Sequence, residues 1–345
     1  MQGFSFEVKK REGKVRARVG VIQTPHGTIE TPAYSPVATR ATVKALDVAD
    51  LKAAGSQVLL GNAYHLYLRP GLEILEKFGG FAPFMGWENP TITDSGGYQV
   101  SFLWAGTREN RENKEKYGRV VKITDEGALF TSHIDGSKYL LTPEKSMEIQ
   151  KVLRADIIMA FDQPIGLDYS EKKKNEAFKR TLKWEERSFV AWEKQNSSQA
   201  LFGIVQGGEN QDLTRECLKF LLGFSFPGLA VGGEAIGVDP LVTARTLDGV
   251  ADLLPDDKPL HALGLGGGPE GIFEAVERGV DLFDNSSITR MARNGLLLLY
   301  PEDGGKSVNK FRFDINKSKF KDDKNPISKI CFCHTCQNYS KAYLH

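Results

Sequence analysis

The chain has 345 residues, 41% of them hydrophobic, and a formal net charge of +1. That is enough apolar material for one large core with an appendage, and the near-zero balance by itself argues neither for nor against a nucleic-acid partner. No stretch reaches the roughly 18 uncharged apolar residues of a membrane span, and the opening MQGFSFEVKKREGK has no apolar signal core, so a reducing, cytoplasmic setting is expected.

In chain order, Phe4 to Thr31 alternates apolar and polar residues around Gly13 and Gly27, the pattern of β hairpins. From residue 31 to 300 a short apolar run, a polar or glycine-rich turn and a helix-like stretch then recur. The runs are Pro32 to Val37, Gln57 to Leu60, Thr91 to Thr93, Asp156 to Phe161, Leu201 to Val205, Leu229 to Val231, His261 to Leu265 and Val280 to Phe283. Between most of them lie amphipathic segments: Val43 to Ala54, Pro143 to Leu153, Glu171 to Glu193, Leu213 to Leu222, Leu241 to Leu253 and Pro269 to Arg278. Eight strand-helix repeats predict an α/β fold, a (β/α)₈ TIM barrel; a doubly wound open sheet would give a similar alternation. The third repeat is interrupted near residues 100–140, where Val120 to Thr124, Ala128 to Ser132 and Tyr139 to Leu141 read as a β insertion. The barrel with its hairpins and insertion is expected to occupy residues 1–300, and a separate small subdomain residues 301–345.

In a barrel, chemistry sits where strands end. The residues following the runs are Asn62, Asp94, Asp162, Gln206, Gly232-Gly233, Gly266 to Gly268 and Asp284. Taken singly, an aspartate there is a common helix N-cap and a glycine a common turn residue. Together, carboxylates, an amide and exposed backbone amides suit recognition of a flat purine-like base, with two aspartates left for a nucleophile and an acid/base. The run Gly264-Leu-Gly-Gly-Gly268 lacks dinucleotide-binding spacing and reads as a turn or a phosphate contact.

The end of the chain differs from the body. Residues 306–345 hold nine Lys or Arg against three Asp, an electrostatic footprint for a polyanion or a solvated tail. Cys331, Cys333 and Cys336, three of the four cysteines, lie within six residues, close enough for their thiolates to converge on one tetrahedral Zn²⁺.

The stretches Gly61-Asn-Ala-Tyr-His-Leu-Tyr-Leu-Arg-Pro-Gly71, Asp94-Ser-Gly-Gly-Tyr-Gln99, Asp135-Gly-Ser137, Met159-Ala-Phe-Asp162, Phe202-Gly-Ile-Val-Gln-Gly-Gly208, Asp281-Leu-Phe-Asp284 and Thr289-Arg-Met-Ala-Arg-Asn-Gly295, followed by the cysteine cluster, closely resemble tRNA-guanine transglycosylases of the bacterial type. The resemblance runs in order from about residue 5 to the last residue. It implies a zinc-containing barrel enzyme that exchanges guanine at wobble position 34 of tRNAs with GUN anticodons, those for Asp, Asn, His and Tyr. The incoming 7-deazaguanine base in the bacterial branch is preQ1, a precursor of queuosine.

By match of motif, Asp284 would be the nucleophile and Asp94 the general acid/base. Asp162, Gln206 and the Gly233 amide would grip the base, with Asn62 beside them and Tyr98 offering a face for stacking. Arg290 and Arg293 would read the anticodon loop, Cys331, Cys333 and Cys336 would hold a structural Zn²⁺, and two chains would form a homodimer, for which Tyr339 and Tyr343 are candidate anchors.

The match has departures. Gln163-Pro164 replaces a bacterial Glu-Cys, Glu234 a Leu and Val238 a Glu, which puts the choice of deazaguanine in question and suggests Glu234 as a carboxylate for the aminomethyl group of preQ1. Asn285-Ser-Ser-Ile288 replaces a Cys-Val-x-Pro run and reads as loop variation. The family's fourth zinc ligand is a histidine on a helix beyond residue 345, so a chain cut short is expected, with His345 as the candidate substitute. Alternative readings are a DNA-modifying or archaeosine-type transglycosylase, a non-catalytic tRNA-binding subunit, which predicts loss of the two catalytic aspartates that are present here, and an inactive zinc-module protein.

Overall fold

The computed structural model describes residues 3–102, 119–233, 236, 239–266 and 268–345. The chain divides into two compact units, residues 1–266 with 271–285 and residues 267–270 with 286–345.

The first unit is built on eight parallel strands that close on themselves: β1 (Ala33–Ala38), β2 (Leu59–Gly61), β3 (Thr91–Thr93), β4 (Ile157–Met159), β5 (Ala200–Val205), β6 (Gly228–Val231), β7 (Leu260–Ala262) and β8 (Leu282–Asn285), with β8 pairing back onto β1. Each expected run contributes one strand, shifted by a few residues at its ends. The closed barrel excludes the open sheet that the alternation also allowed. The runs are apolar throughout because both strand faces are covered: all six residues of β5 are buried. Phe202, Met159 and Ile204 fill the barrel interior, each side chain worth about 1.5–3 kcal/mol when fully withdrawn from water.

The amphipathic segments form the outer helices. Ser170 caps a 25-residue helix, Glu171–Gln195, whose inner stripe includes Phe178, Trp184 and Phe189. Thr142 caps Pro143–Leu153, with proline in the first turn, where its missing N–H costs nothing. The helix expected from Val43 starts only at Val48, because Ala41 and Ala45 take left-handed backbone angles, φ 53° and 65°.

The N-terminal segment forms a three-stranded antiparallel sheet, Ser5–Arg11, Arg18–Thr24 and Gly27–Thr31. Ile22 and Ile29 are paired in register and fully buried against the barrel interior. Arg18 forms a two-pronged ion pair with Asp281, at 2.9 and 2.7 Å, with both side chains buried. Asp281 immediately precedes β8, so the hairpins floor the N-terminal ends of the strands and leave the other end for a mouth. The insertion is a second antiparallel sheet, Arg119–Ile123, Ala128–Thr131 and Lys138–Leu141; residues 103–118 of the expected insertion lie outside the described residues. Its Phe130 packs on Tyr64 at 5.1 Å between ring centroids.

The second unit holds a two-stranded antiparallel ribbon, Leu296–Leu298 with Arg312–Asp314, and the short helices Ser287–Arg293, His334–Asn338 and Lys341–Leu344. Among its described residues the buried hydrophobic side chains are Ile315 and Phe320. A core that small ordinarily needs a staple such as a metal.

Candidate active site

Asp94 follows β3 and is held from three sides. Its Oδ1 accepts the Ala63 backbone N–H at 2.8 Å, and its Oδ2 accepts from the side-chain amides of Gln99, at 3.0 Å, and Asn62. Asn62 is at the same time the N-cap of helix Ala63–Leu68, its Oδ1 accepting from His65 N at 3.0 Å. The amide that the sequence suggests as a base contact therefore serves Asp94 and the helix start. Enclosure of the carboxyl raises its pKa from 3.8 to about 7; the Ala63 and Gln99 bonds oppose the rise, and the charge of Asp284 adds to it.

Asp284 lies in β8, with one oxygen fixed and the other open. Oδ1 faces His261 Nε2 at 2.9 Å and accepts the Gly264 N–H at 3.1 Å; Oδ2 has no partner among the described residues. His261, in β7, is fully buried, and its Nδ1 meets no partner, so Nε2 is the ring nitrogen placed to donate to Asp284. Sequence reading passes over His261, a lone histidine inside an apolar run. It also passes over Gln99, whose signal is its place five residues after Asp94.

A third carboxyl, Asp162, lies at the start of the loop after β4 and is 3% exposed. Its Oδ2 accepts Gln206 Nε2 at 2.7 Å and its Oδ1 the Ser95 hydroxyl at 3.4 Å. Burial raises its pKa from 3.8 to about 7, against the stabilising bonds from Gln206 and Ser95. Gln206 Oε1 is buried with no partner, a vacant acceptor beside an acidic group. The backbone is packed tightly round this pair: a Cβ on Gly97 would lie 2.3 Å from the Asp162 carbonyl oxygen, which only glycine avoids. Gly233, at φ +119°, stands beside Gln206.

Behind the pair, Glu185 is fully buried and takes the Ile204 N–H at 2.9 Å. Burial, and then the charge of Asp162, raise its pKa well above the ordinary range. Tyr98 projects at 47% exposure beside Phe102, with ring centroids 5.0 Å apart. Glu234 and Val238 lie outside the described residues. Asn62, Asp94, Asp162, Gln206, Gly233 and Asp284 thus all follow or end barrel strands on one rim, offering two carboxyls poised near neutrality and a third with an open oxygen. Such a rim can protonate a leaving group, attack an electrophilic carbon and hold a polar, flat ligand.

Arg290 and Arg293 belong to the second unit, in the last turn of helix Ser287–Arg293. So do Cys331, Cys333 and Cys336, whose sulfur atoms all lie within 4.8 Å of one another. Three thiolates on a tetrahedral Zn²⁺ stand about 3.8 Å apart, given Zn–S bonds of about 2.3 Å, so a small contraction suffices. The Cys336 backbone N–H lowers the Cys333 pKa, whereas burial raises that of Cys336 to about 11. By their spacing the cysteines can hold a metal, and Zn²⁺ suits an all-sulfur set best; when bound it would cross-link the two sides of the cluster. His345 does not join this group; its Nδ1 lies 2.9 Å from the Ile315 carbonyl oxygen. Tyr339 and Tyr343 stack on each other, with centroids 4.9 Å apart. No helix among the described residues is long and apolar enough to cross a membrane.

Comparison with known proteins adds an independent line. The sequence model of the family described as queuine tRNA-ribosyltransferase matches residues 13–345. Proteins named queuine tRNA-ribosyltransferase are similar along the whole chain. That of Caldanaerobacter subterraneus subsp. tengcongensis is 43% identical over 100% of this chain and 85% of its own length. That of Aquifex aeolicus is 44% identical over 99% of this chain and 85% of its own, and that of Staphylococcus aureus is 40% identical over 100% and 84%.

Proposed function

The chain belongs to the queuine tRNA-ribosyltransferase family, and from that premise we propose that it exchanges guanine at position 34 of GUN-anticodon tRNAs, those for Asp, Asn, His and Tyr, for preQ1 by double displacement. The observation that carries the chemistry is the pair Asp284 and Asp94, one with an open carboxylate oxygen and the other with a pKa near 7.

Asp284 Oδ2 attacks C1′ of the ribose, the C1′–N9 bond breaks, and protonated Asp94 gives its proton to the departing guanine. The incoming base then loses its ring N–H proton to Asp94, its nitrogen attacks C1′, and the C1′–O bond to Asp284 breaks. Two inversions leave the β linkage retained, and no external energy source is needed. Anionic Asp284 also stabilises the positive charge that builds on the ribose, and His261 with the Gly264 amide fixes the geometry from which it attacks.

Ionised Asp162 accepts from the N1–H and exocyclic amine of a guanine-like edge, a charge-assisted pairing that adenine cannot match. Gln206 and the Gly233 N–H address the carbonyl on the same edge, and Tyr98 stacks on the extruded base. Arg290 and Arg293 contact the neighbouring anticodon nucleotides, and the basic residues 301–345, braced by structural zinc, add charge for the RNA. Glu234 receives the aminomethyl group of preQ1, and the working form is a cytoplasmic homodimer with Tyr339 and Tyr343 at the contact.

The test is incorporation of radiolabelled guanine into an unmodified GUN-anticodon tRNA by wild type, Asp284→Asn and Asp94→Asn. Exchange by the wild type and its loss in both variants is expected; no incorporation by the wild type would defeat the reading. Comparing preQ1, preQ0 and queuine on Glu234→Gln tests the choice of base, and an unchanged preference would remove Glu234 from it.

A further inference from the structure

A cavity of about 570 Å³ opens within the first unit, and none of the carboxyls described above lines it. One wall is the turn after β1, which carries Arg40 and Lys44. Another is helix Ala63–Leu68 with Arg69 at its end, and the third is His133 of the insertion. The same helix donates its first N–H, from Ala63, to Asp94, so cavity and acid/base share one structural element.

The lining is electrostatically one-sided. Arg40, Lys44, Arg69, His65 and His133 face it, and no carboxylate does among the described residues. Arg40 and Arg69 are exposed and make no ion pair among the described residues. His65 Nδ1 is buried and unpartnered. Burial first, then the charges of Arg40, His133 and Lys44, hold the His65 pKa down to about 4, so the neighbouring cations add to an effect that burial dominates. Ala41 and Ala45, on the turn that presents Arg40 and Lys44, have positive φ. Like charges gathered in a concave site repel one another, and an anion relieves that repulsion. Guanidinium forks match tetrahedral oxyanions with paired N–H bonds.

We propose that this cavity is a phosphate-binding site and that, in the RNA complex, it takes a backbone phosphate with its sugar from a nucleotide near the reacting one. The RNA part rests on the functional reading above; the phosphate chemistry does not.

The experiment measures binding of a fluorescein-labelled anticodon stem-loop by anisotropy, using the full chain and the double variant Arg40→Gln/Arg69→Gln over a range of salt concentrations. The variant is expected to bind about tenfold more weakly, the scale of losing charge-assisted hydrogen bonds. The slope of log K against log salt should become shallower by about 0.7 for each phosphate that the variant no longer neutralises. In parallel, inorganic phosphate should raise the melting temperature of the wild type and not of the variant.

RNA affinity and salt slope at wild-type values, in a variant with unchanged circular dichroism, overturn the backbone assignment; if inorganic phosphate also leaves the wild-type melting temperature unmoved, the site itself is refuted. A wild type that binds RNA through Arg40 and Arg69 yet exchanges no guanine would sink the catalytic reading and leave this site standing.

Discussion

Asp162→Asn is expected to make the free protein more stable at pH 8 while abolishing base recognition. The folded carboxyl keeps its proton up to about pH 7, whereas the unfolded one releases it near 3.8. Between those values the native chain binds more protons than the unfolded chain, so stability falls as pH rises. The penalty is absent below about pH 4 and complete above about pH 7. At 1.36 kcal/mol per decade of proton affinity the rise is worth about 4 kcal/mol, and relaxation of the site reduces this to about 2–4 kcal/mol.

Asparagine can be housed without adding to the number of unpaired groups. Gln206 turns its amide over, so that Oε1, now without a partner, accepts from the new Nδ2, and Nε2, which now donates to Asp162, becomes the unpartnered atom in its place. For a chain of this length the gain at pH 8 corresponds to about 3–5 °C in melting temperature. Thermal unfolding of both proteins at pH 5, 6, 7 and 8, with calorimetric titration of guanine, checks it: the gap should widen with pH and the variant should bind no base. A variant less stable than wild type at pH 8, or a gap that does not change with pH, would refute the account of Asp162 as a carboxyl kept in an unfavourable place for recognition.

Four further outcomes follow from the same geometry. In single turnovers, formation of the covalent intermediate should slow above about pH 7, where Asp94 loses the proton it must donate, and transfer to the incoming base should slow below about pH 7; identical profiles for the two half-reactions would count against Asp94 serving both. His261→Phe should lower kcat about 10²-fold with little change in KM for tRNA, as expected for a misaligned nucleophile. His261→Gln, which can still offer an Nε2 donor, should recover most of the rate, and equal loss in both would mean a packing role only. Arg18→Ala should cost about 3–5 kcal/mol in chemical denaturation, because it leaves Asp281 buried without its partner; an effect under about 1 kcal/mol would contradict the buried pairing. Cys333→Ser should lose zinc on gel filtration and lower the unfolding temperature of the second unit, while guanine binding by the barrel stays as in the wild type.

What the sequence discloses follows from how each feature is encoded. Barrel strands buried on both faces must be apolar along their length, so Leu201 to Val205 stands out, and Glu171–Gln195 announces itself through the Ser170 cap and a stripe of large residues. Asp94, Asp162 and Asp284 are visible because polar residues that end apolar runs mark a rim. Pairings between loops are not legible. Nothing local says that Asn62 turns its amide to Asp94, that His261 is aimed at Asp284 from the neighbouring strand, or that Arg40, Arg69 and His133 share one cavity. Backbone detail is equally hidden: Val43 to Asp47 reads as helical, and the left-handed Ala45 delays the helix.

The bond between Arg18 and Asp281 spans 263 positions of sequence, and Asp281 opens the strand that carries Asp284 three residues later. The strand that carries Asp284 is thus latched at its opposite end, and the latch is thrown only when the N-terminal hairpin strand Arg18–Thr24 docks beneath β8. On the role proposed for Asp284, turnover then reports hairpin docking: as the protein is loosened by denaturant, exchange activity should vanish before the helical circular dichroism signal falls, and coincident loss of the two would mean that the latch does not open separately.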